Sequence, residues 1–296
     1  MATLALSSPL AKRASAPRES IAPRRAHVRA SVVASASSKP AVVVLPGLGN
    51  CTEDYDAFAS ELELRGFSAT VAAVGRPDWL RNAAGLTQLA YWQGTLEPRP
   101  TVDWYLSRIA DAVAAAKEKS GADRVALVAH SAGGWMSRVY MQDFGVDDIR
   151  CVVTLGSPLN AVPKDVPGVV DQTRGILTYV EANCAKPTEL GVPVTCLAGK
   201  WLLGVETLEG AGDAAGFLVG QGYKQVCGSA AAWGDGITPV ATAHLDGADN
   251  VTLEGCAPLP SSSLIFFLRT SIPSRTDPRS PSLPPVRSIA GYSTRR

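Results

Sequence analysis

The stretch Val125-Ala126-Leu127-Val128-Ala129-His130-Ser131-Ala132-Gly133-Gly134-Trp135 constrains the fold of this chain more than any other. An apolar run ends abruptly at His130-Ser131, and small residues follow at once. A helical pattern then starts with Trp135, Val139 and Tyr140. The segment reads as a strand, a sharp turn that carries a serine, and a helix. A turn this tight excludes bulky side chains beside the serine, and Ala129 and Gly133 fill the two flanking small positions as A-x-S-x-G.

Strands and helices alternate around this point. Ala41–Leu45 reads as a buried strand, followed by the glycine loop Pro46-Gly47-Leu48-Gly49-Asn50. A helix is expected from about Asp54 to Arg65, with Tyr55, Phe58, Leu62 and Leu64 facing inward and Gly66 closing it. Ser68–Val74 reads as the next strand, and residues 75–100 as irregular. Thr101 is the expected N-cap of a helix reaching about Ser120. Its apolar face is Val102, Tyr105, Leu106, Ile109 and Val113. Arg124–Ala129 leads into Ser131, helix Ala132–Phe144 follows, and Arg150–Leu155 is a strand. A helix near Gln172–Ala182, a strand near Val192–Leu197, a lid-like insertion at about 201–233 and a late strand Asn250–Leu253 complete the pattern. The alternation argues an α/β fold: a mostly parallel central sheet with helices on both faces. Right-handed crossovers then gather the loops after the strands on one edge, where sites form.

The ends of the chain differ in composition. The first forty residues are rich in Ala and Ser, carry Lys12, Arg13, Arg18, Arg24, Arg25 and Arg29, and hold one acidic residue, Glu19. Organelle transit peptides share this bias. Val28-Arg29-Ala30 before Ser31 resembles a stromal processing site, so chloroplast import is the expectation; a tail without an address is the alternative. Residues 257–296 are crowded with Ser, Pro and Arg and read as disordered. The expected organisation is thus 1–37 transit peptide, 38–256 globular domain and 257–296 tail. A net charge of +1 offers no nucleic-acid footprint. No apolar run is long enough to span a membrane. The six cysteines form no C-x-x-C pair or Cys/His cluster with metal-ligand spacing, so no metal is expected. Free thiols are the default in a reducing compartment. Cys184 and Cys227, both in the less regular half, are the candidate pair for a bridge.

The candidate chemistry centres on Ser131. A serine at a strand–turn–helix elbow matches the α/β-hydrolase nucleophile; the bland alternative is a small residue at a tight junction. The backbone N–H groups of Leu48 and Ala132 are the candidate oxyanion donors. Asp235, between glycines in Trp233-Gly234-Asp235-Gly236-Ile237-Thr238-Pro239, is the candidate acid, downstream of the serine as the chain order requires. An ordinary Asp-Gly turn is its alternative. A serine nucleophile needs a general base, and the chain has three histidines, His27, His130 and His244. His27 lies in the expected transit peptide, and His130 precedes the nucleophile. His244 reaches the site only by an unusual loop path, and it is the remaining candidate base.

Together with Asp78-Trp79-Leu80-Arg81-Asn82, Tyr91-Trp92-Gln93-Gly94-Thr95-Leu96, Val166-Pro167-Gly168, Asp171-Gln172-Thr173-Arg174-Gly175 and Gly220–Cys227, these motifs resemble the plastid-targeted, lipase-like α/β-hydrolases of plants and cyanobacteria over about residues 40–256. The resemblance implies a serine hydrolase of carboxylic esters without a cofactor, acting on a small-molecule or lipid ester. Peripheral membrane contact is compatible with it. In that family the N-V-T-L-x-G segment leads into a Tyr-His-Ser step that supplies the base, then a closing helix. Here the match stops at Gly255-Cys256, and the tail that follows resembles read-through or an alternative transcript. The second expectation is therefore an α/β-hydrolase-fold isoform impaired in catalysis because it lacks the histidine.

Overall fold

The computed structural model describes residues 39–208 and 214–256. The first strand, β1 (Ala41–Leu45), is buried at every position. Its β-branched run suits a strand covered on both faces. The chain then makes a 3-10 turn (Thr52–Tyr55), α1 (Asp56–Leu64) and β2 (Ser68–Val71). A 3-10 run (Arg76–Thr87) and α2 (Leu89–Gln93) precede α3 (Asp103–Ser120). Next come β3 (Val125–His130), α4 (Ala132–Phe144), β4 (Ile149–Leu155), α5 (Ile176–Asn183) and β5 (Val194–Lys200). Between β5 and the last strand lie a two-residue ladder of β6 (Leu202–Leu203) with β7 (Trp233–Gly234), α6 (Ala214–Cys227) and α7 (Val240–Ala243). Strand β8 (Asp249–Glu254) closes the described chain.

Six strands form one sheet in the order β2-β1-β3-β4-β5-β8. Every pairing in it is parallel. All the strands therefore end on the same edge, where the loops after β1, β3, β4 and β5 and the last described residues after β8 lie. The two-residue period of a strand divides the core. Val43, Leu45, Val125, Leu127 and Ala129 pack with α3, α4 and α5 on one face. Val42, Val44, Val128 and Leu155 pack with Tyr55, Phe58 and Leu62 on the other.

Several expectations are corrected. Leu64 is 83% exposed: it lies about 200° around the helix from Leu62 and so points to solvent. Within the stretch expected to be irregular, 76–93 is almost wholly helical, with Trp79 and Gly85 buried along the 3-10 run, and 94–100 is without helix or strand. Thr101 does not cap α3, whose N-cap is Val102. Its hydroxyl instead accepts a hydrogen bond from Gln88 Nε2 at 3.0 Å. The strand expected at Ser68–Val74 stops at Val71, and the helix expected near 172 starts at Ile176. Cys184 and Cys227 are free thiols, as are the other four cysteines. The segments expected to be a transit peptide (1–37) and a disordered tail (257–296) lie outside the described residues.

Candidate active site

Ser131 sits at the C-terminal end of β3 with φ 50° and ψ −122°. A non-glycine residue holds such a conformation only when its surroundings over-determine it, at a cost of order 1–3 kcal/mol. Here its amide donates to the Leu155 carbonyl at 3.0 Å. Small neighbours remove the clashes. A Cβ on Gly133 would lie 2.9 Å from the Leu45 carbonyl oxygen, and one on Gly134 would collide with the Ser157 side chain. A Cβ on Gly47 would lie 2.8 Å from Ser131 Cβ, so the glycine loop can press against the elbow.

The amide of Ala132 opens α4, where an N–H has no intrahelical partner. It and the Leu48 amide have no hydrogen-bond partner among the described residues. The loop that carries Leu48 is braced from behind. Tyr55 Oη accepts from the Gly47 amide at 2.9 Å and from Asn50 Nδ2 at 3.2 Å. With both lone pairs engaged, its proton goes to His130 Nδ1, 2.6 Å away. His130 is therefore the Nε2–H tautomer, and burial pushes its pKa down to about 4. Sequence reasoning took Tyr55 as a core residue and set His130 aside. The structure joins them in a brace behind the loop that carries Leu48, an arrangement no sequence pattern signals.

Asp235 lies in the turn after β7, 8% exposed. Its Oδ1 accepts from the amides of Ile237 and Thr238 at 2.8 and 2.7 Å. Its Oδ2 lies 2.7 Å from the place a Cβ on Gly156 would take, and its Cβ lies 2.9 Å from that of Gly199. The carboxylate therefore stands over the ends of β4 and β5. The Cys256 carbonyl is beside it, 2.6 Å from the same Gly199 position. Tyr223 Oη accepts from the Gly236 amide at 2.7 Å and fixes the turn from the side of α6. Thr238 Oγ1 donates to the Gly156 carbonyl at 3.0 Å, tying the turn to the end of β4.

His244 stands apart from this arrangement. Its Nε2 lies 3.3 Å from Thr252 Oγ1 on β8, at the surface. It does not line the cavity beside Ser131. The structure thus brings the Ser131 elbow, the two free amides and the turn of Asp235 to one edge, and leaves His130 and His244 elsewhere. Among the described residues no group of three or more His, Cys, Asp or Glu could hold a metal ion.

The cavity beside Ser131 has a volume of about 320 Å³. Its wall is mainly apolar, with Leu96, Val102, Trp135, Met136, Ile176 and Leu177 among its side chains. Leu48, Ala132, Ile237 and Thr238 complete it on the side of the elbow and the Asp235 turn. Such a space holds an apolar group against a serine hydroxyl.

Burial raises the pKa of Asp235 above 3.8, opposed by the amide bonds of Thr238 and Ile237. The stability tied to its protonation is full below about 3.8 and is lost as pH rises through the raised folded value. At neutral pH the ionised carboxylate is therefore a net cost. Asp235→Asn keeps the Oδ1 acceptor and removes the charge. Its melting temperature should exceed that of the natural chain at pH 7–8, with the gap closing as pH falls towards 4. A lower melting temperature at pH 7–8 would overturn this reading of the turn.

Residues 40–183 match the family described as alpha/beta hydrolase fold. With the six-stranded parallel sheet and its helices, this gives the chain the α/β-hydrolase fold. No curated protein matches the chain. Among solved structures it is similar to a Bacillus licheniformis lipase in its propeptide form, with 17% identity over 77% of this chain and 47% of that one, TM-score 0.48. The chain thus spans about half the length of that lipase. It is also similar to LpqC, a poly(3-hydroxybutyrate) depolymerase from Bordetella parapertussis (16% identity, 77% of this chain, 76% of that one, TM-score 0.44). A third similar structure is an alpha/beta hydrolase enzyme from the sediment metagenome of the Mar Chica lagoon, Morocco (14% identity, 78% and 89%, TM-score 0.40).

Proposed function

We propose that this protein of α/β-hydrolase fold is a serine hydrolase of carboxylic esters. One observation carries the reading: Ser131, held at φ 50° on a strand–helix elbow, faces a mainly apolar cavity beside two unpartnered amides. The Ser131 hydroxyl adds to the ester carbonyl as its proton passes to solvent, the C–O bond breaks and releases the alcohol, and water then hydrolyses the acyl-serine to the acid and free Ser131. The amides of Leu48 and Ala132 take the developing oxyanion, each such donor worth about 3–4 kcal/mol in comparable enzymes. The apolar wall receives the acyl or alkyl group. Asp235 is the acid that orients a base and stabilises its positive form.

A specific observation favours a second reading. Neither His130 nor His244 stands at the cavity among the described residues. The chain then holds its ester in a formed site and turns it over far below the rate of a complete triad, though above the rate in water. Hydrolysis of 4-nitrophenyl butyrate and octanoate separates the readings. Slow turnover that Ser131→Ala removes and His244→Ala leaves in place supports the base-poor site. Fast turnover abolished by His244→Ala would make His244 the base. Turnover unchanged by Ser131→Ala would sink both. We further propose import into plastids, supported by the Arg-, Ser- and Ala-rich first forty residues.

A further inference from the structure

The segment Asp171-Gln172-Thr173-Arg174-Gly175 belongs to no part of the machinery described so far, yet four of its residues, Asp171 to Arg174, line the cavity. Arg174 has φ 56°, and it shares a positive φ with Ser131 alone among the described non-glycine residues. Strain of this kind persists where the neighbours over-determine it, and it clusters at ligand sites. Here the neighbours are visible. Asp171 Oδ1 accepts from the Thr173 amide at 2.8 Å and from its hydroxyl at 2.7 Å. Asp171 Oδ2 accepts from the Gly175 amide at 2.8 Å. Thr173 Oγ1 accepts from the Leu177 amide at 3.1 Å, joining the turn to α5. The Arg174 carbonyl accepts from the Leu96 amide at 2.8 Å. Gly175 packs so closely that a Cβ there would lie 2.7 Å from that same Leu96 nitrogen.

The result is a rigid turn that fixes the position of one side chain. The Arg174 guanidinium lies over the ring of Tyr91, 4.9 Å from its centroid, and both residues line the cavity. It has no ion-pair partner among the described residues. Arg174 is the sole cation on the described cavity wall, and Asp171, the sole carboxylate there, has both oxygens turned into its own loop. A half-buried, planar, stacked guanidinium without a counter-ion is suited to a planar or tetrahedral oxyanion, which it can bind with two parallel hydrogen bonds. The apolar wall around it favours a hydrocarbon chain attached to that anion.

We infer that Arg174 is a specificity-determining residue that selects esters carrying an anionic group, with the hydrocarbon part on the apolar wall and the anion on the guanidinium. This rests on the same cavity and on Ser131 as the reacting group. The anion is a carboxylate or a phosphate or sulfate head, and the test separates these sources.

Titration calorimetry with octanoate, octyl phosphate, octyl sulfate and octanol, all below their micellar concentrations, reads the inference directly. The natural chain should bind at least one of the anions about tenfold more tightly than octanol. The preference should fall with rising salt. The tightest of the three names the anion class. Arg174→Gln should erase the preference, and Arg174→Lys should keep part of it, since the charge remains and the planar fork is lost. Thermal unfolding of both variants shows whether they fold. Equal binding of octanol and the anions, no binding of any of them, or a preference that survives in folded Arg174→Gln would overturn the inference. Binding needs no turnover. A chain that hydrolyses no ester yet shows the Arg174-dependent preference overturns the hydrolase reading alone. One that hydrolyses through Ser131 without the preference overturns this inference alone.

Discussion

Replacing the residues after Cys256 with a Tyr-His-Ser step and a closing helix should raise ester turnover by roughly 10²–10⁴-fold, the contribution of a general base. The geometry behind this is local. β8 pairs with β5 along Thr195–Lys200, so the chain leaves β8 on the same edge as Ser131. The Cys256 carbonyl already lies next to the Gly199–Asp235 contact. A histidine placed just beyond it is within a short loop of the carboxylate that would orient it. Asp235 Oδ1 is engaged by two amides, and Oδ2 takes no hydrogen bond from the described residues. An imidazolium there would also offset the cost of the buried charge, so the graft should lower the pKa of Asp235 as well as raise the rate. Rates for the natural chain, the graft, and the graft with Asp235→Asn measure both effects. A graft that folds but gains less than tenfold would mean that the acid turn is not aimed at the site.

The second large effect is on stability. Arg138, on α4, is 3% exposed. Its Nη1 donates to the Leu159 carbonyl at 3.3 Å, and its Nη2 to the Val180 and Cys184 carbonyls at 3.2 and 2.7 Å. The last two carbonyls lie at the C-terminal end of α5, where a cation is favoured. One buried guanidinium thus ties α4, α5 and the loop after β4 together. Arg138→Leu removes its three hydrogen bonds; the Val180 carbonyl keeps the Cys184 amide at 3.0 Å, while the Leu159 and Cys184 carbonyls lose their partner, at about 1–3 kcal/mol each before relaxation. The relief of a desolvated charge offsets part of this; burial already lowers the arginine's pKa. A net loss of about 3 kcal/mol is expected, or roughly 6–12 °C in melting temperature for a domain of this size. Loss of less than 1 °C would show that Arg138 is a bystander. Because Ile176 and Leu177 on α5 line the cavity, ester binding should weaken with it.

The parts of this fold that were legible in the sequence are those where one pattern dominated. Ala41–Leu45 and Ala132–Phe144 read with the bounds they have, because a β-branched run between breakers and a helical apolar face admit one reading each. The 3-10 run at Arg76–Thr87 was illegible: Pro77 and Gly85 signal a break, and a three-residue period offers no broad apolar face. Thr101 misled because its hydroxyl is taken by Gln88, a contact between the residues that precede α2 and α3. In the site, the strand–helix elbow at Ser131 and the tight turn at Asp235 were legible from small residues at fixed spacing. The Tyr55–His130 brace and the Arg174 turn were not, since each joins residues from distant segments and depends on which proton or lone pair is already engaged.

The most direct test of the central claim is to map the site of phosphonylation after long exposure of the natural chain to an alkyl fluorophosphonate at pH 8. An intact-mass shift of one adduct, localised by peptide mapping to Ser131 and absent from Ser131→Ala, is the result expected of a formed nucleophile and oxyanion site. An unmodified chain, or an adduct on another residue with Ser131 untouched, would contradict it.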